Sequence, residues 1–164
     1  MKTSYVFIFL VLFPVVLMKM RRSRSSGNGC SWYISHKFQG RCYAFFQGEL
    51  PWQEAQKTCQ TLTSRGTLPV YLNNSTIHWL REETFRLFKD YREIWVGAND
   101  LQEKGVLRWT DGSLAHVMEF FDVKNLQPDN LGGNERCVNI GRQDPYLSDA
   151  DCVSKFNYVC QEPG

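Results

Sequence analysis

At 164 residues the chain has the length of one domain, about 100–200 residues being usual, and 43% hydrophobic with 14% aromatic residues excludes a disordered chain. Its formal charge of +2 comes from the N-terminus: residues 1–24 carry five basic side chains and no acidic one, which leaves 14 basic against 17 acidic groups, net −3, in the remainder. A mildly acidic body excludes a phosphate-backbone binder, so no nucleic-acid partner is expected.

The chain opens with Lys2 and an apolar run from Tyr5 to Met18, interrupted only by Pro14. That run is short for a membrane span, which needs about 20 residues, and has the length of a signal-peptide core. The basic cluster Lys19–Arg24 would also suit the cytosolic flank of an anchor. That arrangement would place six cysteines in a reducing compartment, where disulfides do not persist. The expectation is therefore a secreted, extracellular protein without stable membrane insertion. Residues 1–24 read as a signal peptide with a basic stretch, Arg21-Arg22-Ser23-Arg24, that serves either as a processing site or as a solvated linker. Residues 25–29 read as a small, polar linker, and 30–164 as one domain.

Arg41–Gln47 alternates in the manner of a strand. Pro51 is placed at the first position of a helix, where its missing N–H costs nothing, with Trp52, Ala55, Cys59 and Leu62 on one face and Gly66 beyond its end. Thr67–Leu72 reads as extended. A second helix starts at Asn74 or Ser75, both good caps, with Ile77, Leu80, Thr84, Leu87 and Phe88 facing inward. Strands follow at Glu93–Ala98, Leu107–Trp109, Arg136–Gly141 and Asn157–Gln161. Between Phe121 and Glu135 lies a long loop rich in Asn, Gly, Pro and Asp, of the kind that carries function in compact domains.

No catalytic motif is present: there is no His-Glu-x-x-His, Gly-x-Ser-x-Gly or Cys-x-x-Cys. His36, His78 and His116 have no ligand spacing. One cluster of oxygen donors stands out, namely Gln127-Pro128-Asp129-Asn130, Glu135 before Cys137, and Ser148-Asp149 before Cys152. Asp129, Glu135 and Asp149 supply three negative charges, and calcium takes 6–8 oxygen ligands. By residue type alone the same stretch would serve equally as an ordinary polar turn followed by solvated acids.

Taken together, Trp52-x-x-Ala55-x-x-x-Cys59, Trp95-Val96-Gly97-Ala98, Gln127-Pro128-Asp129, Glu135-x-Cys137, Asp149-x-x-Cys152 and Tyr158-Val159-Cys160 resemble, in order and spacing, a C-type lectin domain over Cys30 to Glu162. The resemblance implies an α+β fold: a double-loop domain with two helices, two small antiparallel sheets and a long irregular loop region. It also implies the disulfides Cys30–Cys42, Cys59–Cys160 and Cys137–Cys152, and a domain that binds rather than catalyses. Carried over by position, Gln127, Asp129, Glu135, Ser148 and Asp149 would hold one calcium ion and a sugar. Gln-Pro-Asp is similar to the galactose-type triplet of the family, so galactose or N-acetylgalactosamine glycans on glycoproteins or cell surfaces are the implied partners. Two positions depart from the family pattern: Ser148 stands where Asn is common, and Leu131 where galactose binders carry an aromatic ring. An alternative is therefore an interaction module of the same fold that binds protein without calcium or sugar. An auxiliary calcium site of the family would fall on Asp100, Lys104, Asn130, Glu135 and Arg136. Two cations in that set lead us to expect a single-ion domain. Finally, Asn73-Asn74-Ser75 and Asn74-Ser75-Thr76 are overlapping N-glycosylation sequons, expected to carry at most one glycan, or else to act only as helix caps.

Overall fold

In the computed structural model, residues 30–31, 35–89, 92–141 and 146–163 are described. The expected signal segment and linker, over 1–29, lie outside them. No helix among the described residues is long and apolar enough to cross a membrane.

The first hairpin joins β1 (His36–Phe38) to β2 (Arg41–Leu50) through Gln39 and Gly40, both at positive φ. Helix α1 (Trp52–Leu62) follows directly. Pro51 is its N-cap rather than its first helical residue; the Pro51 carbonyl accepts from Ala55 N–H at 2.9 Å. Trp52, Ala55 and Cys59 are buried as the spacing requires, and the Trp52 indole N–H donates to the Val96 carbonyl at 2.8 Å. Gly66 turns the chain back under the helix. A Cβ there would lie 2.0 Å from the Cys59 carbonyl oxygen, so no other residue fits without backbone movement.

Residues 67–72 run irregularly along the core, and buried side-chain amides take the place of a neighbouring strand. The Gln56 carbonyl oxygen accepts from Leu68 N–H at 2.9 Å, and that of Gln161 accepts from Val70 N–H at 3.1 Å. Helix α2 (Asn74–Phe88) is capped by Asn73, one residue earlier than expected, through its side-chain oxygen and the Thr76 N–H at 2.9 Å. Ile77, Leu80 and Thr84 face the core. Leu87 is 36% exposed, in a last turn that leaves the core, while Arg81 is buried and reaches the Gly141 carbonyl.

Strand β3 (Ile94–Asn99) is buried along its whole length. It pairs with β4 (Arg108–Trp109) and β5 (Glu135–Ile140), both antiparallel, and β5 pairs antiparallel with β6 (Leu147–Asp151). The last strand, β7 (Phe156–Pro163), is antiparallel to β2 and parallel to β3, with Ile94 opposite Asn157 and Trp95 opposite Tyr158. The two antiparallel ladders of the implied fold are thus joined by one parallel pairing into a single mixed sheet, in the order β1-β2-β7-β3-β5-β6. β1 and β6 are additions to the strands legible in the sequence.

Three disulfides are formed: Cys30–Cys42, Cys59–Cys160 and Cys137–Cys152. The second ties α1 to β7 across a sequence separation of 101, a closure worth up to about 4.7 kcal/mol in the chain-entropy model.

Gly97, in the middle of β3, donates its N–H to the Pro69 carbonyl at 2.8 Å. A Cβ at this position would meet Val70 Cγ1 at 2.6 Å and the Leu68 and Pro69 carbonyl oxygens at 3.2 Å. Gly97→Ala is therefore expected to lower stability by about 1–3 kcal/mol, the usual cost of overpacking, read as a lower urea midpoint at unchanged slope.

Candidate calcium and sugar site

The long excursion between β3 and β5 holds little regular structure. Phe121 anchors it, bridging to Leu147, and the Asp122 N–H donates to the Leu147 carbonyl at 3.0 Å. Asp122 then folds the chain on itself, its carbonyl accepting from Asn125 and Gln127 N–H at 3.0 Å each. Leu126 and Asn130 adopt left-handed backbone at φ 62 and 46, and the Gln127–Pro128 peptide between them is cis. A turn at Leu131–Gly133 leads into β5 at Glu135.

This path brings together Asp129, Glu135 and Asp149, with one carboxylate oxygen of each within 4.8 Å of the others. The loop is folded on these carboxylates. The two oxygens of Asp149 accept from Asp129 N–H at 3.1 Å and Asn130 N–H at 2.8 Å. Glu135 accepts from Leu131 N–H at 2.8 Å, a donor shared with Asp129 at 3.2 Å. The Asn130 side-chain oxygen closes the turn by accepting from Glu135 N–H at 3.2 Å.

The electrostatic consequence falls on Glu135. Its pKa is pushed upward, first by burial and then by the neighbouring charges of Asp129 and Asp149, although the Leu131 N–H opposes the shift.

Gln127 and Ser148 form the second half of the site. The Ser148 hydroxyl donates to Gln127 Oε1 at 2.9 Å, and Asp149 N–H reaches the same oxygen at 3.2 Å. A backbone N–H is only ever a donor, which fixes the amide orientation: Oε1 faces β6 and the Gln127 NH₂ is turned away from it. All five residues singled out in the sequence therefore lie in one cluster, three as converging carboxylates and two as an amide–hydroxyl pair bridged to them through Asp149. Every donor is oxygen, and the net charge of the carboxylates is negative, a combination that suits calcium and not a soft transition metal.

Beside this cluster, Arg136 pairs with Asp100. Its Nε lies 2.5 Å from Asp100 Oδ1, and its Nη2 donates to the Asp100 carbonyl. The Gly105 N–H occupies the other carboxylate oxygen at 2.6 Å, and Asp100 N–H donates to the Arg136 carbonyl at 3.0 Å. A guanidinium thus sits on the carboxylate that would otherwise serve an auxiliary ion. Lys104, Leu107, Phe121, Pro128 and Asn130 help line the cleft between this pair and the carboxylates.

Sequence reasoning did not assign Asn130 its structural part. The signal was present: Asn tolerates left-handed backbone, and Gly132-Gly133 two residues later marks a tight turn. The guanidinium–carboxylate pairing of Arg136 was likewise legible only as a charge reversal.

A family model described as the Lectin C-type domain matches residues 48–162. A C-type lectin of Cerberus rynchops is 29% identical over 143 residues, covering 85% of this chain and 87% of that protein. A lectin of Pleurodeles waltl is 28% identical over 120 residues, 73% of this chain and 68% of its own length. Among solved structures, the C-type lectin CEL-I from Cucumaria echinata superposes with a TM-score of 0.69 at 19% identity, over 77% of this chain and 93% of that one, and bears on the fold alone.

Ionised Glu135 is less favourable in the folded state than in the unfolded chain, so removing its charge should stabilise the calcium-free domain. Glu135→Gln keeps an oxygen for Leu131 N–H. It is expected to raise the melting temperature in EDTA while abolishing the gain on adding calcium, which for the wild type should reach about 2.7 kcal/mol at a hundredfold excess over Kd. Differential scanning calorimetry with and without calcium reads both effects. A variant that melts lower in EDTA and still gains on calcium addition would refute the assignment.

Proposed function

The chain belongs to the C-type lectin domain family, and from that premise we propose that it is a secreted, calcium-dependent lectin for galactose-type glycans, galactose or N-acetylgalactosamine. The family binds sugars and other ligands rather than catalysing, and this chain is not an enzyme. The observation that carries the proposal is the convergence of Asp129, Glu135 and Asp149 within 4.8 Å beside the Gln-Pro-Asp triplet. Secretion is supported by the short apolar run at the N-terminus and by the pairing of all six cysteines, which requires an oxidising compartment.

Asp129, Glu135 and Asp149 would hold the ion with the Ser148 oxygen beside them, and Gln127 Oε1 would join only by giving up its hydrogen bonds to Ser148 and Asp149. Bound there, calcium would offer coordination positions to two vicinal sugar hydroxyls. The chain's own groups supply the selectivity. With Oε1 committed to Ser148 and Asp149, Gln127 presents its NH₂ as a donor, while Asp129 and Glu135 accept from hydroxyls. Leu131, 72% exposed, offers aliphatic contact area on the flank. Exchanging donor and acceptor across the triplet changes which stereochemistry is satisfied. Gln127→Glu combined with Asp129→Asn is accordingly expected to move preference toward mannose-type sugars.

A second reading, a protein-binding module independent of calcium, draws on two observations. Gln127 Oε1 and both oxygens of Asp149 already accept N–H or O–H groups of the protein, so the loop is held by its own hydrogen bonds. Val123 and Leu126 also stand 70% and 79% exposed nearby. A glycan array probed with residues 25–164 separates the readings. Galactose-terminated glycans should bind in calcium and be lost in EDTA, whereas no glycan signal in either condition would favour the protein-binding module.

Ser148→Asn tests the site from the calcium side. An Asn side chain adds a neutral oxygen and keeps a donor for Gln127. It is expected to tighten calcium binding by about 1 kcal/mol, several-fold in Kd, in a calorimetric titration. An unchanged Kd would mean that Ser148 already supplies this oxygen, and no calcium binding by either protein would overturn the site.

A further inference from the structure

We propose that Asn74, and not Asn73, carries an N-linked oligosaccharide, added before helix α2 folds. This inference rests on the secreted reading but not on sugar binding. The two sequons share residues, and the structure gives their asparagines different work. Both asparagines are exposed, but the Asn73 side chain is tied by hydrogen bonds between the first hairpin and α2. Its Oδ1 accepts from Thr76 N–H at 2.9 Å and from the Thr76 hydroxyl at 3.0 Å, and its Nδ2 donates to Gln39 Oε1 at 3.0 Å. The Thr76 hydroxyl also lies 3.0 Å from that same Gln39 oxygen. Asn73, Thr76 and Gln39 thus form a closed set that caps α2 and clamps it to the β1–β2 turn. A sugar on Asn73 Nδ2 would start against Gln39 and keep this cap from closing when α2 folds, so the chains that fold and are secreted are those modified at Asn74.

Asn74 has no such duty. It is the first residue of α2 and exposed, flanked by exposed Ser75 and, one turn on, exposed His78. A glycan there projects into solvent and leaves the cap intact. The third residue of its sequon sets the timing. Thr76 is only 3% exposed in the folded domain, its hydroxyl committed to Asn73 and Gln39. The hydroxyl that the sequon requires is therefore accessible only while this segment is unfolded. In the transfer, Asn74 Nδ2 forms a bond to the anomeric carbon of an oligosaccharide carried on a polyprenyl diphosphate. The carbon–oxygen bond to the phosphate breaks, the polyprenyl diphosphate departs, and Nδ2 gives up one proton. No electron changes hands.

The test uses the full chain expressed in a eukaryotic secretory host. The secreted protein is treated with peptide N-glycosidase in heavy-oxygen water, which converts a glycosylated Asn to labelled Asp, and is then mapped by mass spectrometry. The label is expected at position 74, with Asn73 unmodified. Ser75→Ala destroys the Asn73 sequon and leaves Asn74-x-Thr76, so its glycan should persist, whereas Asn74→Gln should reduce occupancy to background. Label at position 73, loss of the glycan in Ser75→Ala, or a secreted and fully disulfide-bonded chain without glycan would each overturn the proposal while leaving the secreted reading standing. A chain retained in the cytosol with free thiols would overturn both.

Discussion

The last strand of the chain lies in the middle of the sheet, and the other elements are arranged around that constraint. β7 pairs with β2 on one side and β3 on the other, and Cys160 within it is bonded to Cys59 of α1. The side chain of the next residue, Gln161, serves the irregular segment at 67–72 by accepting from Val70 N–H. With the sheet secured at this place, and Trp109, Val117 and Phe121 buried in the core, the stretch from Asp122 to Asn134 holds no buried residue and need not hold the core together. It is free to take the left-handed residues and the cis peptide that a regular element would not tolerate, which is the usual division of labour between scaffold and functional loop.

That loop is built from the groups it would use. Asp149 sits on β6, a strand of the scaffold, and its carboxylate orders Asp129 and Asn130 through their backbone N–H groups. Glu135 sits at the start of β5 and orders Leu131 in the same way. The loop's shape and its charge are therefore one property. Any substitution that removes a carboxylate removes a fold contact too, and only an isosteric amide separates the two effects.

Much of this was legible in the sequence where the signal is local. The spacing of Trp52, Ala55 and Cys59 gave α1, and the apolar run around Trp95 gave β3. Boundaries moved by one residue at Pro51, which is the N-cap rather than the first helical residue, and at Asn73, which caps α2 in place of Asn74. Leu87 was assigned to the inner face because periodicity cannot see that the last turn of α2 leaves the core. β6, with the sequence Leu-Ser-Asp-Ala-Asp, carries no apolar strand pattern; it is a strand because β5 pairs with it. The parallel contact that merges two ladders into one sheet joins residues distant in sequence, and no local pattern encodes it. For the candidate site, spacing and family order pointed to residues that lie together in the fold, while the direction of each hydrogen bond, such as Ser148 donating to Gln127, is a property of the folded chain alone.

The Asp100–Arg136 pair has a consequence for how such a domain would meet changing surroundings. A metal ion that braces a loop can be withdrawn by a chelator or by a drop in free calcium, and the loop then loosens; a guanidinium is covalently part of the chain and stays. The shoulder of the cleft formed by Asp100, Gly105 and Arg136 is thus braced by a resident charge. In a compartment poor in calcium, only the half of the loop around Asp129 and Glu135 would lose its counter-charge. The two sides of the cleft are thus held by different means, and the ion pair of the Asp100 side would persist whatever becomes of the carboxylates opposite it.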